Sequence, residues 1–160
     1  MSSLVVIHVL ISLVAIVTGI LVMFKMLASD RVSRLTATFL ATTILTNVTG
    51  FFIPPLLADK FLPSHAIGLL SLILLAVAGY ALYGARLSGI WRPVYVVTAL
   101  VSLYLNCFVL VIQSFLKIPA LHALAPGAPP SGPVFGAAQL VVLAFFAFMS
   151  FRAVRRFHPA

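Results

Sequence analysis

The chain has 160 residues, of which 63% are hydrophobic and 8% are charged, and its formal net charge is +8. Soluble domains carry about 25% charged residues. This chain therefore lacks the polar surface that a soluble globular domain needs, and the composition predicts an integral membrane protein. Its single cysteine, Cys107, excludes an intramolecular disulfide and a thiolate metal cluster.

Five apolar segments are long enough to cross a bilayer as helices, which takes about 18 residues. They cover residues 4–27, 35–57, 65–87, 93–116 and 134–151. The first segment is too long for the apolar core of a signal peptide, so we expect it to remain as the first span. The Pro54-Pro55 pair favours an early end to the second helix. The predicted fold is an all-α bundle of five transmembrane helices, with residues 1–160 forming a single domain.

The basic residues mark one side of the predicted membrane. Eight of the ten Lys and Arg residues lie at the ends of the first, third and fifth segments or just after them: Lys25, Arg31, Arg34, Arg86, Arg92, Arg152, Arg155 and Arg156. Basic loops stay in the cytoplasm, so we expect the N-terminus outside and the C-terminus inside. These cations flank apolar spans and share no basic face. That pattern favours anionic lipid headgroups as partners and argues against nucleic acid.

Polar side chains within the spans indicate which helix faces point into the bundle, because polar groups are costly in lipid. On the fourth span they recur at helical spacing in one stripe: Tyr95, Thr98, Ser102, Asn106, Gln113 and Lys117. The threonines of the second span and the small residues of the first and third are explained by helix packing alone. The stripe therefore predicts that the fourth helix faces the bundle interior along its whole length.

Four longer polar side chains fall at a similar depth on four different spans. His8, Asn47, Gln113 and Gln139 each lie about four to six residues, or roughly 6–9 Å, inside the outer boundary. His65, Lys117 and His122 are expected at the mouth above them. The sequence thus predicts a polar cup that opens outward, and its expected ligand-binding residues are His8, Asn47, Asn106, Gln113, Lys117 and Gln139. The Pro- and Gly-rich segment 118–133 is predicted to be largely non-helical and to cover the cup.

Several ligands fit a cup of this kind. Haem b needs two axial ligands from different helices, for which His8 and His65 are the best available pair, and the amides or Lys117 suit quinone carbonyls as well. A mononuclear zinc or copper site that adds His122 and Asp59 is a further alternative. Hydrolysis is disfavoured, because the only two acidic residues are predicted to lie in loops and cannot form paired carboxylates within the spans.

The segment NCFVLVIQSFLKIPALHALAP, residues 106–126, and the later VFGAAQLVVLAFFAF resemble small uncharacterised bacterial inner-membrane proteins. The pattern NxFVxxxQxFxKxPxLxxxAP and Gln139 carry this resemblance, which covers roughly the C-terminal third. It implies an inner-membrane location and a polar site near the fourth span, and it implies no activity. The first three spans are only loosely similar to small membrane b-type cytochromes, since they lack the second buried histidine that a two-haem arrangement needs.

Two functions follow as expectations. The first is a multi-pass protein of a bacterial inner membrane that binds a lipid or isoprenoid-type ligand in the cup, or acts as an accessory subunit. Its partners would be membrane lipids and other membrane subunits or further copies of the chain. The second is a haem b- or quinone-linked redox protein that uses His8 and His65. The sequence leaves open whether the protein is an enzyme.

Overall fold

The computed structural model describes residues 3–53 and 63–159. Within these ranges the chain is helical and contains no strand, as an all-α fold requires. The elements are α1 (Ser3–Leu27), α2 (Ser33–Gly50), α3 (Pro63–Gly79), a π-helix (Tyr80–Gly84), α4 (Trp91–Lys117), α5 (Pro119–Leu124) and α6 (Pro133–Arg156). The prediction of an all-α fold is confirmed for the described part of the chain.

In the described residues, four helices are long and apolar enough to cross a membrane: Ser3–Leu27, Ser64–Gly84, Trp91–Lys117 and Pro133–Arg156. They correspond to the first, third, fourth and fifth predicted spans. The predicted second span, 35–57, corresponds to α2, which ends at Gly50, and residues 54–57 lie outside the described residues. α2 is more polar than the others, with six threonines and one asparagine among its 18 residues. The fold is therefore compatible with an integral membrane protein.

The threonines of α2 satisfy their hydroxyl groups within the helix. Thr42, Thr43, Thr46 and Thr49 each donate a hydrogen bond to the carbonyl four residues earlier, at 2.7–2.8 Å. Such bonds neutralise the hydroxyl and leave its methyl group to face the surroundings. The polarity of α2 is thus lower than its composition indicates.

Four helices form a ring, and the last long helix lies outside it. α1 packs against α2, α2 against α3, α3 against α4, and α4 against α1. α6 packs on the outside, against α4 and α1. At one end of the ring lie the ends of α1 and α6 and the starts of α2 and α4. There the backbone N–H of His158 donates to Ser29 Oγ at 2.8 Å. We call this end, which carries the eight cations named above, the basic end.

The packed core fills only the half of the ring towards the basic end. At its upper limit Gly19 faces Leu103 and Phe39 so closely that a Cβ on Gly19 would lie 2.5 Å from Leu103 Cδ1. A methyl group on Gly19 would force the ends of these two wholly buried side chains to shift. From that crossing the core continues through buried side chains that include Val22, Met23, Met26, Leu75, Val96, Leu100 and Phe157. On α1, no residue before Ala15 is buried.

Two details differ from the predicted elements. The segment 118–133 contains the short helix α5, because Pro119 stands in its first turn, where the missing N–H costs no hydrogen bond. The third span stops being α-helical at Gly79, continues as the π-helix, and ends at Gly84 rather than at residue 87. Arg86 and Leu87 follow with φ values of +50° and +59°, and this left-handed backbone does not continue a helix.

Candidate functional site

The half of the ring away from the basic end encloses a cavity of about 450 Å³. Ligand pockets in proteins typically measure about 300–1,000 Å³. Its wall is mostly apolar and is built by α1, α2, α3 and α4, together with residues that flank these helices. The polar residues in the wall are His8, Ser12, Thr46, Asn47, Ser64, His65, Asn106, Gln113, Ser114 and Lys117. Five of the six predicted ligand-binding residues thus line one cavity.

The helix register orders these residues by depth. Gly19 lies level with Leu103 on the antiparallel helix α4. Eleven residues further along each helix, His8 is level with Ser114 and hence close to the level of Gln113. Asn106 lies seven residues below Gln113, which is roughly 10 Å along the helix. His8, Gln113 and Lys117 therefore surround the upper part of the cavity, and Asn106 lies at its floor.

The orientation of His8 is set by Thr49. The His8 Nδ1 atom lies 2.8 Å from Thr49 Oγ1, and Thr49 Oγ1 donates its own hydrogen to the Leu45 carbonyl at 2.7 Å. While the Thr49 hydrogen stays on that carbonyl, Thr49 accepts from His8, and Nδ1 carries the proton of the neutral ring. In the neutral ring, Nε2 then keeps a free lone pair. His8 consequently offers a hydrogen-bond acceptor or a metal ligand.

Asn47 ties α2 to α3 midway down the cavity. Its Nδ2 donates to the Thr43 carbonyl at 2.8 Å and to Ser71 Oγ at 3.0 Å. Both amide hydrogens are then used, and Asn47 Oδ1 accepts no hydrogen bond from the described residues. Gly68 lies close to the Phe51 ring, since a Cβ on Gly68 would lie 3.2 Å from that ring, and it would be in ordinary contact with Asn47 Oδ1 at 3.8 Å.

Asn106 differs from Asn47 in having no hydrogen bond to any described residue. It is only 9% exposed, and its buried Nδ2 has no partner within the described part of the chain. A buried amide without partners is uncommon, and it destabilises the fold by about 1–3 kcal/mol. Asn106 therefore lines the floor of the cavity with an amide that makes no hydrogen bond to the described residues.

The mouth of the cavity holds an imidazole and a cation. His65 is buried and stacks on Phe51, with ring centroids 5.7 Å apart and an angle of 11° between the planes. Lys117, the last residue of α4, is exposed and forms no salt bridge with the described residues. Gln113 is also exposed. Lys117 and Gln113 can hydrogen-bond to the polar part of a ligand.

Gln139 and His122 do not reach the cavity. Gln139 Nε2 donates to the Phe108 carbonyl at 3.1 Å, between α6 and α4, and its buried Oε1 has no partner among the described residues. Gln139 therefore does not face the other five residues as predicted, because α6 lies outside the ring. His122 on α5 places Nδ1 3.3 Å from the Phe115 carbonyl.

The predicted metal and haem ligands differ in how the fold places them. In the described residues, no three His, Cys, Asp or Glu side chains lie close enough to hold a metal ion. Asp59, which the predicted zinc or copper site needs, lies outside the described residues. His8 and His65, the predicted haem ligands, line the same cavity, and the contact of His8 with Thr49 uses its Nδ1 atom.

Sequence reasoning missed Thr49 and Ser71 as residues that position His8 and Asn47. Thr49 was assigned to helix packing, which is the usual role of such a residue. Its spacing from Thr42 and Thr46 placed it on one face of α2, but no sequence signal pairs that face with His8. Comparisons of the chain with protein-family models, with curated proteins and with solved structures give no match.

Proposed function

We propose that this protein binds a lipid or isoprenoid-type molecule in the cavity between α1, α2, α3 and α4. The observation that carries the proposal is the 450 Å³ of empty, mostly apolar space, into which four helices direct a few polar groups. Ligand sites of membrane helix bundles have this composition, since apolar walls hold the chain and sparse polar groups orient the head.

The proposed topology is that of a bacterial inner-membrane protein with five spans, α2 included. An 18-residue helix is about 27 Å long, close to the roughly 30 Å of a bilayer core. α2 also packs between α1 and α3, and its threonine hydroxyls are satisfied within the helix. With the basic end in the cytoplasm, the N-terminus and the cavity face outward.

An accessory role fits the same architecture through α6. This helix leaves most of its apolar surface uncovered by the chain, with Leu140, Val141 and Phe151 each 59–69% exposed. Such a surface is covered by lipid or by another membrane subunit. Ligand binding in the cavity and packing through α6 involve different surfaces and do not exclude each other.

Photolabelling tests the cavity. The purified protein is irradiated with a diazirine-bearing farnesyl alcohol, and the labelled peptides are identified by mass spectrometry. We expect labels on cavity residues of α1 and α4, and we expect Ser12→Trp, which fills the cavity, to abolish them. Leu10→Trp adds the same side chain on the outer face of α1, where Leu10 is 58% exposed, and should leave them unchanged. Labels confined to outer faces, or unaffected by Ser12→Trp, would overturn the proposal.

A second candidate function is a haem b- or quinone-linked redox role. The specific observation is that Thr49 leaves the Nε2 lone pair of His8 free beside a cavity that His65 also lines. Visible spectra of the purified protein, oxidised and dithionite-reduced, test the haem form. A Soret band that is lost in His8→Ala supports haem ligation. A flat spectrum after expression with added haem precursor rules it out.

A further inference from the structure

We propose that the ligand enters the cavity head first: an uncharged head that bears a hydroxyl or carbonyl oxygen hydrogen-bonds to the Asn106 amide, and the apolar chain trails past His8 to the mouth. This inference rests on the proposed function, because it needs a ligand in the cavity. It adds the orientation of that ligand and the chemistry of its head.

The polar group most in need of a partner lies at the floor. The Asn106 side chain is nine-tenths buried and makes no hydrogen bond with the described residues. A half-turn of the amide exchanges Nδ2 and Oδ1, so either atom can face the cavity. A ligand hydroxyl can donate to Oδ1 or accept from Nδ2, and a carbonyl can accept from Nδ2. Both heads therefore match Asn106.

The opposite orientation leaves Asn106 unsatisfied. With the ligand head at the mouth, the end of the apolar chain would lie against the Asn106 amide and offer it no hydrogen bond. The polar groups higher in the cavity have less need of a hydrogen bond from a ligand. The Nδ1 atom of His8 is bonded to Thr49, the amide hydrogens of Asn47 are bonded to Thr43 and Ser71, and Lys117 is exposed.

The head is uncharged because nothing at the floor compensates a charge. The cavity residues close to Asn106 in the helix register are Ile16, Leu105 and Val109, all of them apolar. Lys117, the cation among the described residues of the cavity wall, lies eleven residues after Asn106 on α4, roughly 16 Å further along the helix. An ion at the floor would be buried without a partner, which is strongly unfavourable.

Binding of three probes to the purified full chain in detergent, measured by native mass spectrometry, tests this orientation. The probes are geranylgeraniol, a prenylated benzoquinone and a fatty acid of similar length. We expect Asn106→Leu to weaken binding of the alcohol, the quinone or both about tenfold or more and to leave the fatty acid unaffected. Comparison of the alcohol with the quinone shows which oxygen head the site prefers.

Gln139→Leu is the matched control, because it removes a buried amide on α6 that does not line the cavity. It should leave the affinity for all three probes unchanged. A melting temperature of Asn106→Leu that is no lower than that of the wild type, both without ligand, shows that the variant folds. If Asn106→Leu unfolds, Asn106→Gln, which keeps the amide but moves it, should still weaken the alcohol or quinone relative to the wild type.

Two outcomes separate failure of the inference from failure of the proposed function. Tightest binding of the fatty acid, lost in Lys117→Gln and unchanged in Asn106→Leu, would place the head at the mouth. The cavity would remain a ligand site, and the head-first orientation would be overturned. Binding of every probe that is as weak in the wild type as in Ser12→Trp would overturn both.

Discussion

The Thr49 hydroxyl orients the imidazole of His8 through a hydrogen bond to its Nδ1 atom. His8 Nδ1 and Thr49 Oγ1 are 2.8 Å apart, and the Thr49 hydrogen is already donated to the Leu45 carbonyl. This hydrogen bond joins the first turns of α1 to the last turn of α2, 41 residues later in the chain. It leaves Nε2 as the ring nitrogen that a ligand in the cavity can meet.

Removal of the Thr49 hydroxyl should free the His8 ring. Thr49→Val keeps the side-chain shape but cannot accept from Nδ1, so the two neutral tautomers should both become populated. The ¹⁵N shifts of His8, measured in detergent, check this. We expect a protonated Nδ1 and an unprotonated Nε2 in the wild type and averaged shifts in Thr49→Val. Thr49→Ser retains the hydroxyl and should give the wild-type shifts. A protonated Nε2 in the wild type would contradict the assignment.

A methyl group at Gly19 should destabilise the ring at its tightest crossing. Its Cβ would meet Leu103 Cδ1 at 2.5 Å and Phe39 Cε2 at 2.8 Å, inside van der Waals contact. We expect Gly19→Ala to lower the free energy of unfolding by about 1–3 kcal/mol, as overpacking does. Thermal unfolding in detergent is the measurement.

Gly79→Ala is the control for that crossing. It adds the same methyl group at a helical position where nothing lies within 4 Å of the new Cβ. Because alanine also favours the helix over glycine, this variant should be as stable as the wild type or slightly more stable. A loss in Gly79→Ala equal to that in Gly19→Ala would show that helix packing at Gly19 is not the cause.

Substitution by leucine should affect the stability of the ligand-free protein differently at the two asparagines of the cavity. Asn47→Leu removes two hydrogen bonds, to the Thr43 carbonyl and to Ser71 Oγ, and should destabilise the ligand-free protein by about 1–2 kcal/mol. Asn106→Leu removes an amide that has no described partner, so the ligand-free protein should be equally stable or more stable. Melting temperatures of the two variants, compared after delipidation, check the contrast.

Cysteine labelling should report the proposed sidedness. In a Cys107→Ser background, Ser88→Cys places an exposed thiol at the basic end, and Ser131→Cys places one between α5 and α6. With the basic end in the cytoplasm, a membrane-impermeant maleimide added to intact spheroplasts should label Ser131→Cys and spare Ser88→Cys. Inverted vesicles should give the reverse pattern. Labelling of Ser88→Cys in spheroplasts would reverse the proposed orientation.

Composition and periodicity were enough to predict the helical fold. Long apolar runs leave the backbone of a membrane segment no other way to pair its N–H and C=O groups, so the starts of α1 and α4 could be predicted within two residues. The stripe on α4 was also predictable, because Tyr95, Ser102 and Asn106 share a helical face and are buried. The π-helix and α5 were missed, since both depend on local backbone geometry with weak sequence signals.

What the sequence determined by itself is the set of helices and the depth of each polar side chain along its own helix. The tertiary structure decided which helices share an interior. His8, Asn47 and Gln139 have similar depths, yet Gln139 faces the outside of α4 because α6 packs outside the ring. The cavity also required the tertiary structure, since close packing at Gly19 holds the helices together on one side and leaves space on the other. The depth of a side chain follows from its residue number and the rise per residue of its own helix. The residues that it contacts depend on how the faces of all the helices pack together.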